Sequence, residues 1–395
     1  MPDAIDSPSP AVSPTVPTVR VLTADGRYEP TDAAAEYLSQ LDRLSDDDHA
    51  RFYRDMVIAR RFDNEATNLQ RQGQLALWPP SNGQEAAQVG SAHAARAQDH
   101  IFPSYREHIV GMIRGVDPID IIRVMRGVSN GGWDPTDAAH GNFHIYTLVL
   151  ATQALHATGY ALGMSLDGVV GTGDPERDAA TMVYFGDGAS SEGDVSEAFV
   201  FAASYQTPQV FFLQNNQWAI SVPVSVQSRT PLYLRSSGFG IPGVQVDGND
   251  VLASYAVAAK HLDDARSGHG PSLIEAVTYR MGAHTTSDDP TRYRAGDEEA
   301  AWALRDPIAR FRIYLQSRGA ASAVFDDAET EANDLAADVR TRTLELEPPA
   351  LEAIFDNVYT EQHPVTDEQR AWLQRYERSL AAPETGAAAS EEGVR

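Results

Sequence analysis

The chain has 395 residues, no cysteine and a formal net charge of −25 at pH 7. Without cysteine there are no disulfides, thiolate zinc sites or cysteine nucleophiles, and so negative a balance argues against nucleic acid as a partner, because phosphate binding needs a basic face. Lys260 is the sole lysine and carries no motif around it, which removes Schiff-base chemistry and a Walker-type loop, and no run of 18 apolar residues offers a membrane span.

Taken in chain order, residues 1–30 are rich in Pro and Ser and are expected to form a disordered tail. The opening segment has neither a basic region nor an apolar core, so no targeting peptide is expected and the cytoplasm is the expected compartment. Residues 31–76 read as a helical arm in which Phe52, Met56, Ile58, Ala59 and Phe62 form an apolar stripe. From 77 to 297 short apolar runs alternate with helical patterns at 153–165, 192–205 and 251–266. That alternation predicts an α/β fold, a mostly parallel sheet with helices on both faces. Arg280 is expected to close a strand from Leu273 to Tyr279, pointing at the carboxyl end of the sheet, and a loop rich in Gly, Thr, Ser, Asp and Pro spans Arg280 to Arg294. Residues 298–380 form a helical region with helices expected at 298–318, 327–346 and 366–380, the last carrying Trp372, Leu373, Tyr376 and Leu380 on one side, and 381–395 read as a second disordered tail.

The stretch from Thr181 to Pro223 carries the chemistry. Met182 to Phe185 is an apolar run of strand formers that stops at Gly186. Gly186-Asp187-Gly188 then reads as a turn whose glycines tolerate unusual backbone angles and let a ligand approach the main chain. Val195, Ala198, Phe199 and Ala202 recur at helical spacing, Thr207-Pro208 breaks the helix, and Val210 to Leu213 form a second buried run ending at Gln214, Asn215 and Asn216. A strand, helix, strand unit places neighbouring parallel strands with a right-handed crossover, and ligands in such sheets bind beyond the carboxyl ends. Asp187 and Asn216 thus converge on one ion. Both offer oxygen, which suits Mg²⁺, and two side chains plus a main-chain carbonyl near Trp218 leave room for a diphosphate.

With its crossover helix and Asn pair, the Gly-Asp-Gly block resembles the thiamine-diphosphate motif. The chain is similar to alpha subunits of the decarboxylating first component of 2-oxoacid dehydrogenase complexes, closest to the branched-chain type. The resemblance runs from about Asp46 to Leu380. It is carried by that block and by SNGQEAAQVGSA (81–92), FPSYREH (102–108), LATQ (150–153), QVDGNDVLASY (245–255) and YRMGAHTTSDDPTRYR (279–294). It implies the thiamine-diphosphate-binding fold and a cofactor site built from Tyr105, Arg106, Leu148, Leu150, Gly186, Asp187, Gly188, Ala189, Gln214, Asn216, Trp218, Arg280 and His284. Mg²⁺ would be held by Asp187, Asn216 and Trp218, and diphosphate oxygens by Arg106 and Arg280. Leu148 and Leu150 would border the cofactor, and Thr152, Gln153 and nearby Thr147 a monovalent-cation (K⁺) site. His284 would be catalytic, helping the acyl group pass to a lipoyl arm, a proton transfer suited to a near-neutral pKa. Thr285 and Ser287 fall near the phosphorylated serines of mitochondrial relatives, although such hydroxyls also serve as caps.

The same resemblance implies partners: a beta subunit in a heterotetramer of two alpha and two beta chains, which supplies the glutamate facing the cofactor, and a lipoylated dihydrolipoyl acyltransferase core. Two departures bear on this. Gln214 stands where relatives carry Arg, and segment 130–147 lacks the Met-Pro-x-His-Tyr block of mitochondrial relatives. Branched-chain 2-oxo acids and pyruvate both remain open as substrates. A Mg²⁺-dependent phosphohydrolase, another user of a Gly-Asp-Gly loop, would need an early strand ending in Asp-x-Asp-x-Thr, and no such segment occurs.

Overall fold

The computed structural model describes residues 16–129, 131–356 and 358–381, which divide after Glu345 into two compact units. In the larger unit six strands form one sheet in the order Thr18–Val19, Gly243–Asp247, Ser272–Val277, Gln209–Asn215, Thr181–Gly186 and His100–Phe102. Every neighbouring pair is parallel. The expected α/β architecture is therefore what the chain adopts.

Side-chain alternation divides the central strands between two buried layers. Val183, Phe185, Phe211, Leu213 and Leu273 face a core shared with Ala154, Ala157, Ala198, Phe199 and Ala202, which come from the helices Thr152–Leu166 and Gly193–Tyr205. On the other face the Tyr184 hydroxyl meets Ser91 Oγ at 2.8 Å, on the helix Glu85–Ala94, which packs against Val251–Arg266. The helix Asp46–Arg71 opens with a capping box between Ser45 and Asp48 and buries Phe52, Met56, Ile58, Ala59 and Phe62. Ser322–Leu344 packs along it.

Several boundaries differ from the sequence reading for identifiable reasons. Residues 16–30 do not form a tail. Thr18 and Val19 pair with Gln245 and Val246, and the buried Asp250 carboxylate accepts from the Val21 and Leu22 N–H groups at 2.7 and 2.6 Å. The parts of the two expected tails before Val16 and after Ala381 lie outside the described residues. The last strand ends at Val277, so Arg280 does not close it. Instead Thr278 N donates to Asn215 O at 2.9 Å and Arg280 N to Asn216 O at 3.2 Å, leading the chain along the Asn pair. The helix expected at 298–318 divides into Gly296–Ala303 and Pro307–Ser317, because Asp306 caps a new start with Pro at its first position. The smaller unit contains Leu351–Phe355 and the helix Pro364–Ala381, on which Trp372 and Tyr376 stack. No helix among the described residues is long and apolar enough to cross a membrane.

His108 illustrates the electrostatic character of this interior. Its ring stacks on Trp78 at 4.2 Å, with its nitrogens on Pro79 O and the Tyr146 hydroxyl, and burial pushes its pKa down to about 3. A histidine held neutral when folded is protonated only after unfolding, so stability drains away as pH falls below the unfolded pKa near 6.5. His108→Gln should therefore lose less stability between pH 7 and pH 5 than the parent, by about 1–2 kcal/mol. Urea unfolding at the two pH values reads the difference, and parallel losses would contradict it.

Candidate active site

Register sets the site. Gly186 pairs with Gln214, so Asp187 and the Asn pair emerge at one level at the carboxyl end of the sheet. The glycines of this turn work differently from expectation. Neither Gly186 nor Gly188 has a positive φ; Gly188 is in helical conformation, and a Cβ there would stand 2.7 Å from the Ala219 Cβ. Close approach requires glycine at 188, whereas a Cβ at Gly186 would meet nothing nearer than Gln214 O at 4.0 Å. After Asn216 the backbone is left-handed at Gln217 and Ile220, with φ of 74° and 53°, folding the hairpin Trp218–Ala219 and Val222–Pro223 over the strand ends.

A cavity of about 500 Å³ opens there. Of the expected residues, Tyr105, Arg106, Leu150, Gly186, Asp187, Gly188, Ala189, Gln214, Asn216, Trp218 and His284 line it. Asn215 turns away, its amide donating to Glu275 Oε1 at 2.7 Å. Asn216 stays at the wall, its amide 3.4 Å from Gln84 Oε1 and its oxygen accepting from Trp218 N at 3.3 Å. Two expected residues are not in the lining. Leu148 is 67% exposed and borders a neighbouring cleft with Thr147 and Thr152; Gln153 lies on both. Ala151 explains the split, since its φ of 71° reverses the chain just before the helix Thr152–Leu166. Arg280 is fully buried behind the wall. It donates to Trp218 O at 3.0 Å, Ile220 O at 2.8 Å and the Tyr293 hydroxyl at 2.8 Å, so it braces the hairpin.

Burial raises the pKa of Asp187, a shift opposed by a bond from Gln227 Nε2 to Oδ2 at 2.9 Å and by the charge of Arg280. The carboxylate has no ion pair among the described residues. Arg106 donates to Pro80 O at 2.5 Å and to His284 O at 3.0 Å, with the same nitrogen 3.3 Å from His284 Nδ1. His284 does not have the near-neutral pKa expected of it. Burial, then Arg106 and Arg280, push it down to about 3. Since Nδ1 faces two guanidinium donors, it accepts and the ring proton sits on Nε2. Gln214 is tied up below the cavity, donating to Glu107 Oε1 at 2.5 Å and accepting from Gln88 at 3.1 Å.

Gln227, Gln84 and Glu107 went unnoticed in the sequence. Glu107 stands within the FPSYREH block, where an acidic residue beside Arg106 was the available signal, whereas nothing around Gln227 marks it. Among the described residues no group of three or more His, Asp or Glu could hold a metal by itself. A hard cation would take one carboxylate and one amide oxygen from Asp187 and Asn216 and draw its remaining oxygens from a ligand and water. The buried, under-compensated Asp187 fits such an ion, and the Trp218 carbonyl keeps a second lone pair for it beside the one bonded to Arg280.

Comparison with known proteins shows the family. The dehydrogenase E1 component family matches residues 53–342. The 3-methyl-2-oxobutanoate dehydrogenase subunit alpha of Mycobacterium tuberculosis is 45% identical over 325 residues, covering 82% of this chain and 85% of its own length. The pyruvate dehydrogenase E1 component subunit alpha of Acholeplasma laidlawii is 37% identical over 333 residues, 82% of this chain and 92% of its own. The corresponding subunit of Staphylococcus epidermidis is 36% identical over 303 residues, 76% and 77%.

The strain stored at Asp187 is measurable without any ligand. A carboxyl whose pKa is raised by folding contributes stability at low pH and loses it as pH rises through the folded value. Asp187→Asn keeps the shape and an acceptor for Gln227, so it should stabilise the ligand-free chain by about 1 kcal/mol at pH 8 and by less at pH 5. Thermal unfolding at both values checks this; a destabilised variant at pH 8 would count against it.

Proposed function

Since the chain belongs to the dehydrogenase E1 component family, we propose that it is the alpha subunit of a branched-chain 2-oxoacid dehydrogenase, a 3-methyl-2-oxobutanoate dehydrogenase, acting with thiamine diphosphate and Mg²⁺. The observation that carries this reading is the gathering of Asp187, Asn216, Arg106 and His284 on one cavity at the carboxyl end of a parallel sheet. Asp187, the Asn216 amide oxygen and the Trp218 carbonyl would hold Mg²⁺, and Arg106 the diphosphate. When bound, thiamine diphosphate supplies the nucleophilic carbon and the electron sink for decarboxylation.

This chain's own residues then bind, orient and manage protons. Leu150 offers an apolar wall to the cofactor, and Gly188, with no side chain, lets the hairpin close over Asp187. His284 presents its Nε2 edge to the cavity, and as the imidazolium it would hand a proton to the lipoyl sulfur freed when the acyl unit is received, returning to neutral imidazole. An anion held by Arg106 would offset the positive field that now depresses the imidazole pKa. Arg280 acts on Asp187 through its charge and on the hairpin through its hydrogen bonds. For K⁺, the supporting observation is the Gln153 side-chain oxygen, buried without a partner where the cavity meets the cleft bearing Thr147 and Thr152.

A beta subunit completes the reading. Glu107, a carboxylate on the cavity wall, is engaged by Ser104 and Gln214, so the glutamate needed opposite the cofactor is assigned to the partner. Val226 on the cavity wall and Leu148 and Val149 on the neighbouring cleft are 72%, 67% and 73% exposed, apolar surface suited to a subunit contact. The heterotetramer, the lipoylated acyltransferase core and a cytoplasmic location belong to the same proposal.

Pyruvate is the second reading, favoured by the 36–37% identical relatives. With the beta subunit and core reconstituted, kcat/KM for 3-methyl-2-oxobutanoate should exceed that for pyruvate by about 10-fold or more, as expected for added methyl groups in an apolar pocket. The reverse order would transfer the assignment to pyruvate. The site itself is tested by calorimetric titration of the alpha–beta complex: Asp187→Ala and Asn216→Ala should each abolish Mg²⁺-dependent thiamine diphosphate binding while circular dichroism stays unchanged. Retained affinity in both variants would refute the metal assignment.

A further inference from the structure

Behind the cavity, the segment from Trp78 to Gly83 touches both halves of the site without lining it. Pro79 and Pro80 carry no N–H groups, so the turn cannot be held by hydrogen bonds of its own backbone at those positions. A single carboxylate binds it on both sides. Asp63, 2% exposed on the helix Asp46–Arg71, accepts from the Trp78 indole at 3.0 Å through Oδ1, and from Ser81 N and Oγ at 2.7 and 2.8 Å through Oδ2. One helical turn earlier Arg60 holds Glu85 at 2.8 Å, and Glu85 accepts from Gly83 N at 2.9 Å. Two side chains on one helix face thereby fix the whole segment.

What the segment offers in return is a row of carbonyls. Pro80 O takes the Arg106 guanidinium at 2.5 Å and Asn82 O takes Met281 N at 3.1 Å. Trp78 meets Thr286 twice, its carbonyl accepting from Thr286 N at 2.9 Å and its N–H donating to the Thr286 hydroxyl at 3.1 Å. Thr286 lies two residues beyond His284. We infer that Asp63 is a positioning residue for this site, fixing through the Trp78–Ser81 turn both the anchor of Arg106 and the seat of the His284 loop. The inference rests on the roles given above to Arg106 and His284.

The test uses the alpha–beta complex with its acyltransferase core. Asp63→Asn keeps the size of the side chain but turns an N–H₂ toward donors that need an acceptor. Hydrogen exchange in peptides covering 78–82 and 282–290 should rise about tenfold, the effect of losing one buried hydrogen bond. Exchange in Thr181–Gly186 and Gln209–Asn215 should stay unchanged. Thiamine diphosphate affinity should fall about tenfold, and acyl transfer to the lipoyl group should slow more than dye-linked decarboxylation. Thr286→Val, which leaves Asp63 and Arg106 in place, should reproduce the loop exchange and the slowed acyl transfer while leaving cofactor affinity intact. Equal loss of protection in strands and loop would overturn the inference in favour of general destabilisation, as would unchanged loop exchange in either folded variant. Should Asp63→Asn fail to fold, Thr286→Val decides alone. Because the exchange readout needs no cofactor, a complex that shows the predicted exchange but binds no thiamine diphosphate would sink the functional reading and spare this one.

Discussion

The desolvated carboxylate of Asp187 is the constraint around which the carboxyl end of the sheet is organised. Withdrawing such a charge from water costs several kcal/mol unless counter-charge or hydrogen bonds compensate it, and here the side-chain donor is a single amide, Gln227. The nearby cations are committed elsewhere: Arg280 serves three oxygens behind the wall, and Arg106 serves Pro80 and His284. Three groups in one place are therefore displaced from their usual protonation balance, Asp187 upward and Arg280 and His284 downward. Opposed shifts of this kind, each led by burial and gathered at one cavity and its wall, mark a candidate site where a bound cation and anion would both be favoured. The metal ion and diphosphate proposed above would supply both.

Backbone strain gathers around the same carboxylate. Ala151, Gln217 and Ile220 all hold left-handed conformations without being glycine, and each costs on the order of 1–3 kcal/mol. Ile220 is branched at Cβ, which makes its φ of 53° the most demanding of the three. Arg280 shows how the cost is offset. Its bonds to the carbonyls of Trp218 and Ile220 straddle the tight part of the hairpin, so the guanidinium that compensates Asp187 electrostatically also stabilises the turn that covers it. Bracing and charge compensation are one interaction seen from two sides.

These features were unequally legible in the sequence. The strand, turn, helix, strand unit from Thr181 to Asn216 could be read because apolar runs, a Pro break and the handedness of crossovers leave little freedom, and these local signals place Asp187 and Asn216 together. Arg280 could not be placed, because the strand ends where pairing with Asn215 and Asn216 begins, a contact some 60 residues distant in the chain. Leu148 and Leu150 look equivalent in an apolar run; only the reversal at Ala151, invisible in an alanine, sends one to the cavity and the other outward. The Pro/Ser-rich tail was misread up to residue 30 because its strand is two residues long and is secured by the remote Asp250 carboxylate.

His284 joins these threads. In isolation its imidazole is neutral, since burial and two arginines disfavour a second proton, and a base so weakened accepts a proton poorly at neutral pH. Burial is the larger part of that depression and Arg280 shares the rest with Arg106, so a diphosphate received by Arg106, as proposed above, would relieve one part of it. On the proposed reading, protonation of His284 is thereby coupled to occupancy of the cavity that it lines together with Arg106. That coupling works only if His284 and Arg106 keep their mutual distance, and the shared turn at Trp78–Ser81 is what holds both to one frame.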